Sequence, residues 1–435
     1  SSSSSSTLPK VRTDNDLTPI ERKFADTHCD LTHLKNNQWY PSSSSSSSLS
    51  EEDNDNDDDD SWQQRAPYII IAGVWNAGIN PIANALFKHP QIDKAKTNGF
   101  FLPKQFQRYY DVSSNNNDVN NINNNNNNNT EIASSSSSSF NIKVFAARER
   151  MYAQVYSKST LREKGVNDKE SKDMTGGNGE DNNDDNKNNH VAMDVSPGLI
   201  FYAHKTAHSI LCTVPWVKVV IVLRNPIDRL YQQWSYSTTN LGLRLSLEDW
   251  MAQEMKLLHT VGLIGAVNNN KNKKNNNNKD DKESVLTVVS EKEAWDKYQS
   301  VRNVAGAIGR SLYVLQLEEW INAYIAAGKN PSDFITILTT ENIEDQPQKE
   351  YNKLIQFLHL APIVDNNDDK NNIASTLLEK SFNKTKNNVN NNDLTPPMKE
   401  ETRNMLRHFF QPYNQRLTKL LRSNGFEGNW DERWK

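Results

Sequence analysis

The chain has 435 residues, of which 35% are hydrophobic, and its formal net charge is −4 at pH 7. Acidic and basic residues are mixed along it, so no overall field favours a nucleic-acid partner. No stretch approaches the roughly 20 apolar residues of a membrane-spanning helix, and no signal peptide is recognisable. The first residue is Ser rather than Met, so an anchor or signal upstream of this sequence stays open.

Much of the chain is low in complexity. Residues 1–66 have the composition of a disordered Ser- and Asp-rich stem, and the remainder, 67–435, is interrupted by polar insertions. These Asn-, Ser-, Asp- and Lys-rich insertions lie at about 113–139, 165–190, 267–283 and 365–393. Such stretches bury too little apolar surface to offset the entropy of ordering them. Without them roughly 280 residues remain, which favours a single domain with long surface insertions.

The first predicted strand, at about 68–74, is apolar on both sides, as in the middle of a parallel sheet. A helix is expected at about 80–89, with Asn80 as a possible cap, and Gly73 and Gly78 bracket the turn between them. A strand, a glycine-bearing turn and a helix N-terminus form an arrangement that holds phosphate. Because no Gly-Lys-Ser/Thr follows, an ordinary strand-to-helix turn is the alternative.

Helices and strands alternate along the rest of the chain. Strands are predicted over 218–223 and 334–338. Helical spacing is found over 140–156, and helices are predicted over 198–213, 247–258, 312–325, 351–360 and 405–421, the last interrupted near Pro412. This alternation predicts an α/β fold in which helices flank a central parallel sheet. Four tryptophans are expected in the core: Trp234, Trp250, Trp295 and Trp320.

The cysteines and two histidines carry little information by themselves. Cys29 lies in the predicted stem and Cys212 in a predicted helix, so a disulfide between them stays open and the redox compartment cannot be read. His204 and His208 lie four residues apart on one predicted helix. Since no third metal ligand is apparent, both are expected to be surface or core histidines.

Arg224 directly follows the predicted strand over 218–223, and Asn225-Pro226 then breaks the strand and opens a helix. This order places Arg224 at the carboxyl edge of the sheet, where open α/β sheets bind ligands. The planar fork of donors on a guanidinium group suits a phosphate. An ion pair with Asp228 or with a neighbouring loop is the alternative.

Five segments, in this order, resemble the sulfotransferases that use 3′-phosphoadenosine 5′-phosphosulfate (PAPS), in particular the carbohydrate and heparan-sulfate type of the Golgi. The segments are 71–90, 219–234, 309–320, 338–342 and 397–430. The resemblance implies a fold like that of the P-loop NTPases, with a central parallel sheet flanked by helices. It also implies transfer of a sulfuryl group from PAPS to a hydroxyl or amine of a glycan, without a metal.

The resemblance further assigns site residues. The residues that match the loop for the 5′-phosphosulfate are Gly73, Trp75, Asn76, Ala77, Gly78, Ile79 and Asn80. Arg224 and Gln232 match the residues that hold the 3′-phosphate, and Asp194 matches the catalytic base. For Asp194, a role as a helix N-cap before Ser196 is the alternative.

Several of these positions differ from the family pattern. Asn76 stands where the family usually has the Lys that stabilises the leaving phosphate oxygen, and Gln232 stands where it has Ser. Val195 replaces the Lys that follows the base, and Lys384 and Lys386 lie where the family has a basic Gly-rich loop. Two hypotheses follow: an active carbohydrate sulfotransferase, or a catalytically impaired relative that binds nucleotide, glycan or a protein partner without turnover.

The expected location comes from the resemblance. It implies the Golgi lumen, as a type II membrane protein if an anchor precedes this sequence, with the cytoplasm as the alternative. Two Asn-x-Thr sequons, at 128–130 and 383–385, arise easily by chance in Asn-rich runs and add little.

Overall fold

The computed structural model describes residues 10–12, 17–31, 40–42, 67–94, 142–144, 147–148, 191–265, 290–301, 306–362, 395–428, 430 and 434. The predicted insertions, both sequons and the lysines at 384 and 386 lie outside these residues, as does most of the predicted helix over 140–156. Within the residues that the structure describes, no helix is long and apolar enough to cross a membrane.

The strands and helices of the described residues alternate as predicted. The strands are β1 (Lys10–Arg12), β2 (Cys29–Asp30), β3 (Tyr40–Ser42), β4 (Pro67–Gly73), β5 (Ile92–Lys94), β6 (Ile142–Lys143), β7 (Val191–Val195), β8 (Lys218–Leu223) and β9 (Ile335–Thr339). The α-helices are α1 (Pro19–His28), α2 (Ile79–Leu86), α3 (Ala203–Thr213), α4 (Pro226–Asn240), α5 (Leu247–Thr260), α6 (Glu291–Ser300), α7 (Tyr313–Ala326), α8 (Pro331–Phe334), α9 (Thr340–Asp345), α10 (Pro347–Phe357) and α11 (Glu400–Ser423).

The chain divides into two compact units, and the division falls directly after β8. The first unit comprises Ser1–Leu223, Glu319–Thr385 and Ser423–Phe426. The second unit comprises Arg224–Glu318, Lys386–Arg422 and Glu427–Lys435. The first unit holds the strands, and the second holds α4, α5, α6 and most of α11.

A five-stranded parallel sheet forms the core of the first unit, in the order β5-β7-β4-β8-β9. The central strand β4 pairs with β7 on one side, where Ile70 lies opposite Asp194, and with β8 on the other. Side chains on both faces of β4 and β8, from Ile69 to Ala72 and from Val219 to Leu223, are 0% exposed. Because apolar residues on both faces need cover on both, the predicted α/β fold with a flanked parallel sheet is confirmed.

Two helix boundaries differ from the predictions. The N-cap of α2 is Gly78, with a left-handed φ of +80°, so the expectation that Asn80 caps this helix is wrong. Helix α11 runs through Pro412 without a break, so the predicted interruption there is also wrong. The reason is that Phe410 and Leu417, on either side of Pro412, are buried, and burying that face offsets the roughly 3 kcal/mol that an internal proline costs.

Part of the predicted disordered stem is folded. Helix α1 begins with a capping box, in which the Glu21 N–H donates to the Thr18 hydroxyl at 3.3 Å and the Thr18 N–H donates to the Glu21 carboxylate at 2.9 Å. Phe24 and Ala25 are 3% and 2% exposed. The prediction of disorder over 1–66 is therefore wrong for 17–31, since this helix buries an apolar face.

A disulfide joins this N-terminal segment to the core. Cys29, in β2, is bonded to Cys212, in α3, with a Cα–Cα distance of 5.5 Å. The imidazole of His28 stacks on that of His208 nearby, with ring centroids 4.3 Å apart. The disulfide that the sequence left open is thus present, and it links residues 183 positions apart.

Lys218, the first residue of β8, is a buried cation with few polar partners. It is 8% exposed, and its Nζ donates to the carbonyl oxygen of Asp333 at 2.6 Å. The Nζ lies 4.6 Å from the ring centroid of Phe357 and 5.5 Å from that of Phe334. Burial lowers the pKa of Lys218 to about 8, and the negative charge of Asp333 offsets part of this effect.

This pKa predicts a pH-dependent stability. Between pH 8 and the ordinary lysine pKa of roughly 10.4, the unfolded chain binds more protons than the native one, so stability rises with pH. We expect the free energy of unfolding of the wild type to rise by about 2 kcal/mol relative to Lys218→Met between pH 7.5 and 9.5. Urea unfolding of both proteins across this range measures the difference, and parallel pH profiles would show that Lys218 is not the cause.

Candidate functional site

The turn between β4 and α2 has a backbone that few residue types adopt. Gly73 has a φ of +151°, Asn76 of +67° and Gly78 of +80°. The Ala77 N–H donates to the carbonyl oxygen of Val74 at 3.1 Å and closes the turn. Glycine adopts such angles at no steric cost and asparagine tolerates them best among the other residues. Since β4 ends at Gly73 and α2 begins at Ile79, the turn lies at the carboxyl end of the central strand, as predicted.

Neighbouring segments pack directly against Gly73. A Cβ atom at this position would lie 2.9 Å from the carbonyl oxygen of Pro197 and would collide with the side chain of Ile200. On the other side of β4, the Val74 N–H donates to the carbonyl oxygen of Val222 at 2.9 Å. The segment after β7 and the end of β8 thus fix the start of the turn.

Thr340, the first residue of α9, fixes the other end of the turn. Its hydroxyl lies 2.7 Å from the carbonyl oxygen of Ala77 and 3.1 Å from that of Leu223. Thr340 is 4% exposed, so these contacts compete little with water. Thr340 was not among the predicted site residues. The signal that could have indicated it is a hydroxyl residue directly after an apolar strand, at the same sheet edge as the turn.

Asn76 carries a donor without a partner. Its Nδ2 atom is buried and has no hydrogen-bond partner among the described residues. Leaving a buried donor unpaired costs about 1–3 kcal/mol. The first N–H groups of α2 also lack partners within the helix, and the helix dipole favours negative charge at this end. Together these donors suit an oxyanion such as a phosphate.

The remaining residues of the turn differ in what they offer. Ile79 is 4% exposed, so it can reach a ligand only through its backbone N–H group. Ala77 is 0% exposed and its N–H group already donates to Val74, so its part is to close the turn. Trp75 is half-buried and Asn80 is exposed. An anion at this turn would therefore meet mainly backbone N–H groups and the amide of Asn76.

Asp194 lies in β7, next to the central strand, and is 0% exposed. Its Oδ2 accepts a hydrogen bond of 2.5 Å from the hydroxyl of Ser196, which is also fully buried. The alternative role as a helix N-cap is wrong, because Asp194 lies within a strand and Gly198 precedes the 3₁₀ segment Leu199–Tyr202. In this conformation the Asp194 carboxylate is not accessible to solvent.

Arg224 is the first residue of the second unit, and its side chain is half-buried. Its carbonyl oxygen accepts a hydrogen bond of 2.8 Å from the hydroxyl of Tyr313. The predicted alternative of an ion pair with Asp228 is wrong, because Asp228 pairs with Arg403 at 3.0 Å. None of the described carboxylates forms an ion pair with Arg224. Gln232 lies half-buried on α4.

The other candidates are structural. All four tryptophans predicted in the core, Trp234, Trp250, Trp295 and Trp320, are less than 9% exposed, which confirms that prediction. No group of three or more His, Cys, Asp or Glu that could hold a metal ion occurs in the part of the chain that the structure describes.

The fold and the turn define an α/β protein with a glycine-bearing turn after its central parallel strand. No protein-family model matches the chain, and a comparison with curated proteins gives no match. The solved structures that match include the crystal structure of a sulfotransferase from Alicyclobacillus acidocaldarius, with 14% sequence identity and a TM-score of 0.42. The match covers 84% of this chain and 99% of that chain. Both values are too low to support an argument about function.

Proposed function

We propose that this chain is a sulfotransferase that moves the sulfuryl group of PAPS to a hydroxyl or amine of a carbohydrate acceptor. The observation that carries the proposal is the turn over 73–78, where two left-handed glycines and the buried amide of Asn76 surround a helix N-terminus. Such a turn accepts an oxyanion through backbone donors and needs no metal. The five segments that resemble PAPS-dependent sulfotransferases, and that follow one another in the same order, support the same chemistry.

The residues of the turn fit the 5′-phosphosulfate of PAPS, which supplies a sulfuryl group on a phosphate leaving group. The N–H groups of α2 and the amide of Asn76 would donate to its oxygens. Fixed donors at the oxygen where charge develops are usually the largest source of acceleration in such transfers. Gly73 and Thr340 would hold these donors in place, because both restrain the backbone of the turn.

Arg224 and Gln232 are the residues that we propose for the 3′-phosphate of the nucleotide. The supporting observation is that none of the described carboxylates neutralises Arg224. A guanidinium group that is not paired with a carboxylate can form two parallel hydrogen bonds to a phosphate. Gln232 can add an amide donor where the related enzymes use a hydroxyl.

The alternative function is a catalytically impaired relative that binds nucleotide, glycan or a protein partner without turnover. Two observations favour this alternative. Asn76 brings a hydrogen-bond donor but no positive charge, and the Asp194 carboxylate is fully buried and accepts a hydrogen bond from Ser196. Both positions are those expected to carry the chemistry, so binding and catalysis have to be tested separately.

The acceptor and the location complete the proposal. We infer a glycan or polysaccharide acceptor from the resemblance to carbohydrate sulfotransferases, and the Golgi lumen as the location. The Cys29–Cys212 disulfide supports this location over the cytoplasmic alternative, since disulfides persist mainly in oxidising compartments. An upstream anchor would make the protein a type II membrane protein.

Calorimetry with adenosine 3′,5′-bisphosphate, the desulfated product of PAPS, tests the proposed donor. We expect micromolar binding to the wild type and roughly 100-fold weaker binding to Arg224→Ala, because the guanidinium would contribute two charge-assisted hydrogen bonds. Arg244→Ala is the matched control, since Arg244 is an exposed arginine of the same unit. Equal affinity of the wild type and Arg224→Ala would remove Arg224 from the site, and no binding by the wild type would refute PAPS as the donor.

A further inference from the structure

Two histidine contacts that the proposed function does not use hold residues 359–361, the α10 tail, to the rest of the first unit. One contact joins Ala361 to the segment before β5, and the other joins His359 to the first residue of β8. Because β5 and β8 both run parallel to the central sheet direction of β4, these contacts lie at the amino edge of the sheet. The turn over 73–78 lies at the opposite edge, so the α10 tail is separate from the proposed nucleotide site.

His89 is 2% exposed and uses both nitrogen atoms of its ring. Its Nδ1 accepts a hydrogen bond of 3.2 Å from the Gln91 N–H, so the ring proton lies on Nε2, which donates to the carbonyl oxygen of Ala361 at 2.9 Å. The side-chain Oε1 of Gln91 in turn accepts a hydrogen bond of 2.7 Å from the Ala361 N–H. The neutral imidazole therefore supports both polar backbone groups of Ala361, one directly and the other through Gln91.

A second proton on the His89 ring would disrupt this arrangement. It would bind to Nδ1 and face the Gln91 N–H, so a hydrogen bond would become a contact between two donors. Burial lowers the pKa of His89, and the hydrogen bond to Ala361 offsets part of this effect. The neighbouring Lys88 is exposed, and none of the described charged side chains forms a hydrogen bond or ion pair with the ring. The fold therefore favours the neutral ring.

The second contact of the α10 tail also needs a neutral imidazole. The ammonium of Lys218 can only donate, so the Nε2 of His359, 3.4 Å from the Lys218 Nζ, accepts and carries no proton. A proton on this nitrogen would place two positive charges side by side. Burial and the charge of Lys218 both lower the pKa of His359. Among the described carboxylates, Asp333 acts on Lys218, and it is exposed, so water screens its charge.

We propose that the α10 tail is a proton-sensitive attachment, closed while His89 and His359 are neutral and released when they take up protons in mildly acidic surroundings. Protonation of His89 would remove the acceptor of the Gln91 N–H and, with it, the support that Gln91 gives to Ala361. Protonation of His359 would repel it from Lys218. The end of α10 would then separate from the starts of β5 and β8, while the buried strands of the sheet stay paired.

The direction of the pH dependence follows from proton binding. A histidine in the released tail has an ordinary pKa of about 6.5, and burial lowers the pKa of both histidines in the closed form. Below about pH 6.5 the released form therefore binds more protons than the closed form, so the attachment weakens as the pH falls. A histidine that stayed neutral throughout in the closed form would favour release about tenfold more at pH 5.5 than at pH 7.5.

Hydrogen–deuterium exchange of the full chain at pH 7.5 and 5.5, corrected for the intrinsic effect of pH on exchange, tests the attachment. In the wild type, we expect the protection of residues 358–362, relative to that of β8 in the same unit, to fall roughly fivefold at the lower pH. This measurement needs no variant. Each variant is compared with itself at two pH values, so a constant loss of stability does not affect the result.

Three variants assign the effect to particular histidines. His89→Asn keeps a side-chain acceptor for the Gln91 N–H but cannot be protonated, so it is expected to remove most of the fall. His359→Asn is expected to remove a smaller part, since His359 is exposed, and asparagine tolerates its left-handed φ of +54°. His408→Asn, which removes an exposed histidine from α11, is the matched control and is expected to leave the fall unchanged.

Each other outcome would overturn the proposal. Equal protection of residues 358–362 at the two pH values in the wild type would mean that protons do not release the α10 tail. An equal fall in β8 would mean that acid destabilises the whole unit. A fall that persists unchanged in both His89→Asn and His359→Asn would assign the pH dependence to other groups. Failure of nucleotide binding would leave this result unaffected, because neither the turn over 73–78 nor Arg224 takes part in these contacts.

Discussion

Gly73→Ala is expected to lower the free energy of unfolding by about 3 kcal/mol. Two costs add here: a left-handed backbone for a residue with a Cβ atom, roughly 1–2 kcal/mol, and overpacking, roughly 1–3 kcal/mol. The overpacking arises because the new methyl group would meet the carbonyl oxygen of Pro197 and the side chain of Ile200. Urea unfolding followed by tryptophan fluorescence measures the loss.

Gly242→Ala separates these two costs. Gly242 also has a left-handed φ, +71°, but a Cβ atom there would meet nothing within 4 Å. We therefore expect this variant to lose only about 1 kcal/mol. Equal losses in the two variants would mean that the close approach of Pro197 and Ile200 to the turn is absent in solution.

Asn76→Lys is expected to raise the rate of sulfuryl transfer by roughly 100- to 1000-fold if the impaired alternative is correct. The gain is the typical effect of one donor at the oxygen that becomes charged in the transition state. Transfer of labelled sulfate from PAPS to a glycan acceptor measures this rate. The left-handed backbone of Asn76, with a φ of +67°, makes a lysine there roughly 1 kcal/mol less stable, so stability has to be recorded alongside activity.

Asn76→Met is the control for this experiment, because it has a long side chain without charge. It is expected to show no gain, and an equal gain in the two variants would assign the effect to side-chain size. A wild type that already transfers sulfate at ordinary rates would exclude the impaired alternative. In that case Asn76 itself, with its buried amide, is sufficient as the donor.

The sequence predicted the sheet because its signal is local. The uninterrupted apolar run 219–223 indicates a strand that is buried on both faces, and the glycines at 73 and 78 mark the turn directly. The first turn of α4 was equally readable from Asn225-Pro226, and Asn225 accepts a hydrogen bond from the Ile227 N–H at 3.0 Å. Local patterns of this kind depend on few neighbours.

What the sequence did not show depends on contacts between distant residues. The N-cap alternative for Asp194 came from its neighbours in sequence, whereas its place within a strand comes from the pairing of β7 with the central strand. The role of Thr340 requires two carbonyl groups more than 100 positions away. Helix α1 was missed for a different reason: the capping box at Thr18 and Glu21 was visible, but the polar composition around it dominated the interpretation.

The disulfide between Cys29 and Cys212 also explains how this chain can carry such long polar insertions. The covalent loop spans 183 positions, and the insertions at 113–139 and 165–190 lie inside it. In the chain-entropy account, closing such a loop stabilises the folded state by about 5 kcal/mol. Halving the loop would change this value by only about 0.6 kcal/mol, because the dependence on length is logarithmic. Insertions at these positions can therefore lengthen or shorten during evolution at almost constant stability, as long as both cysteines are kept.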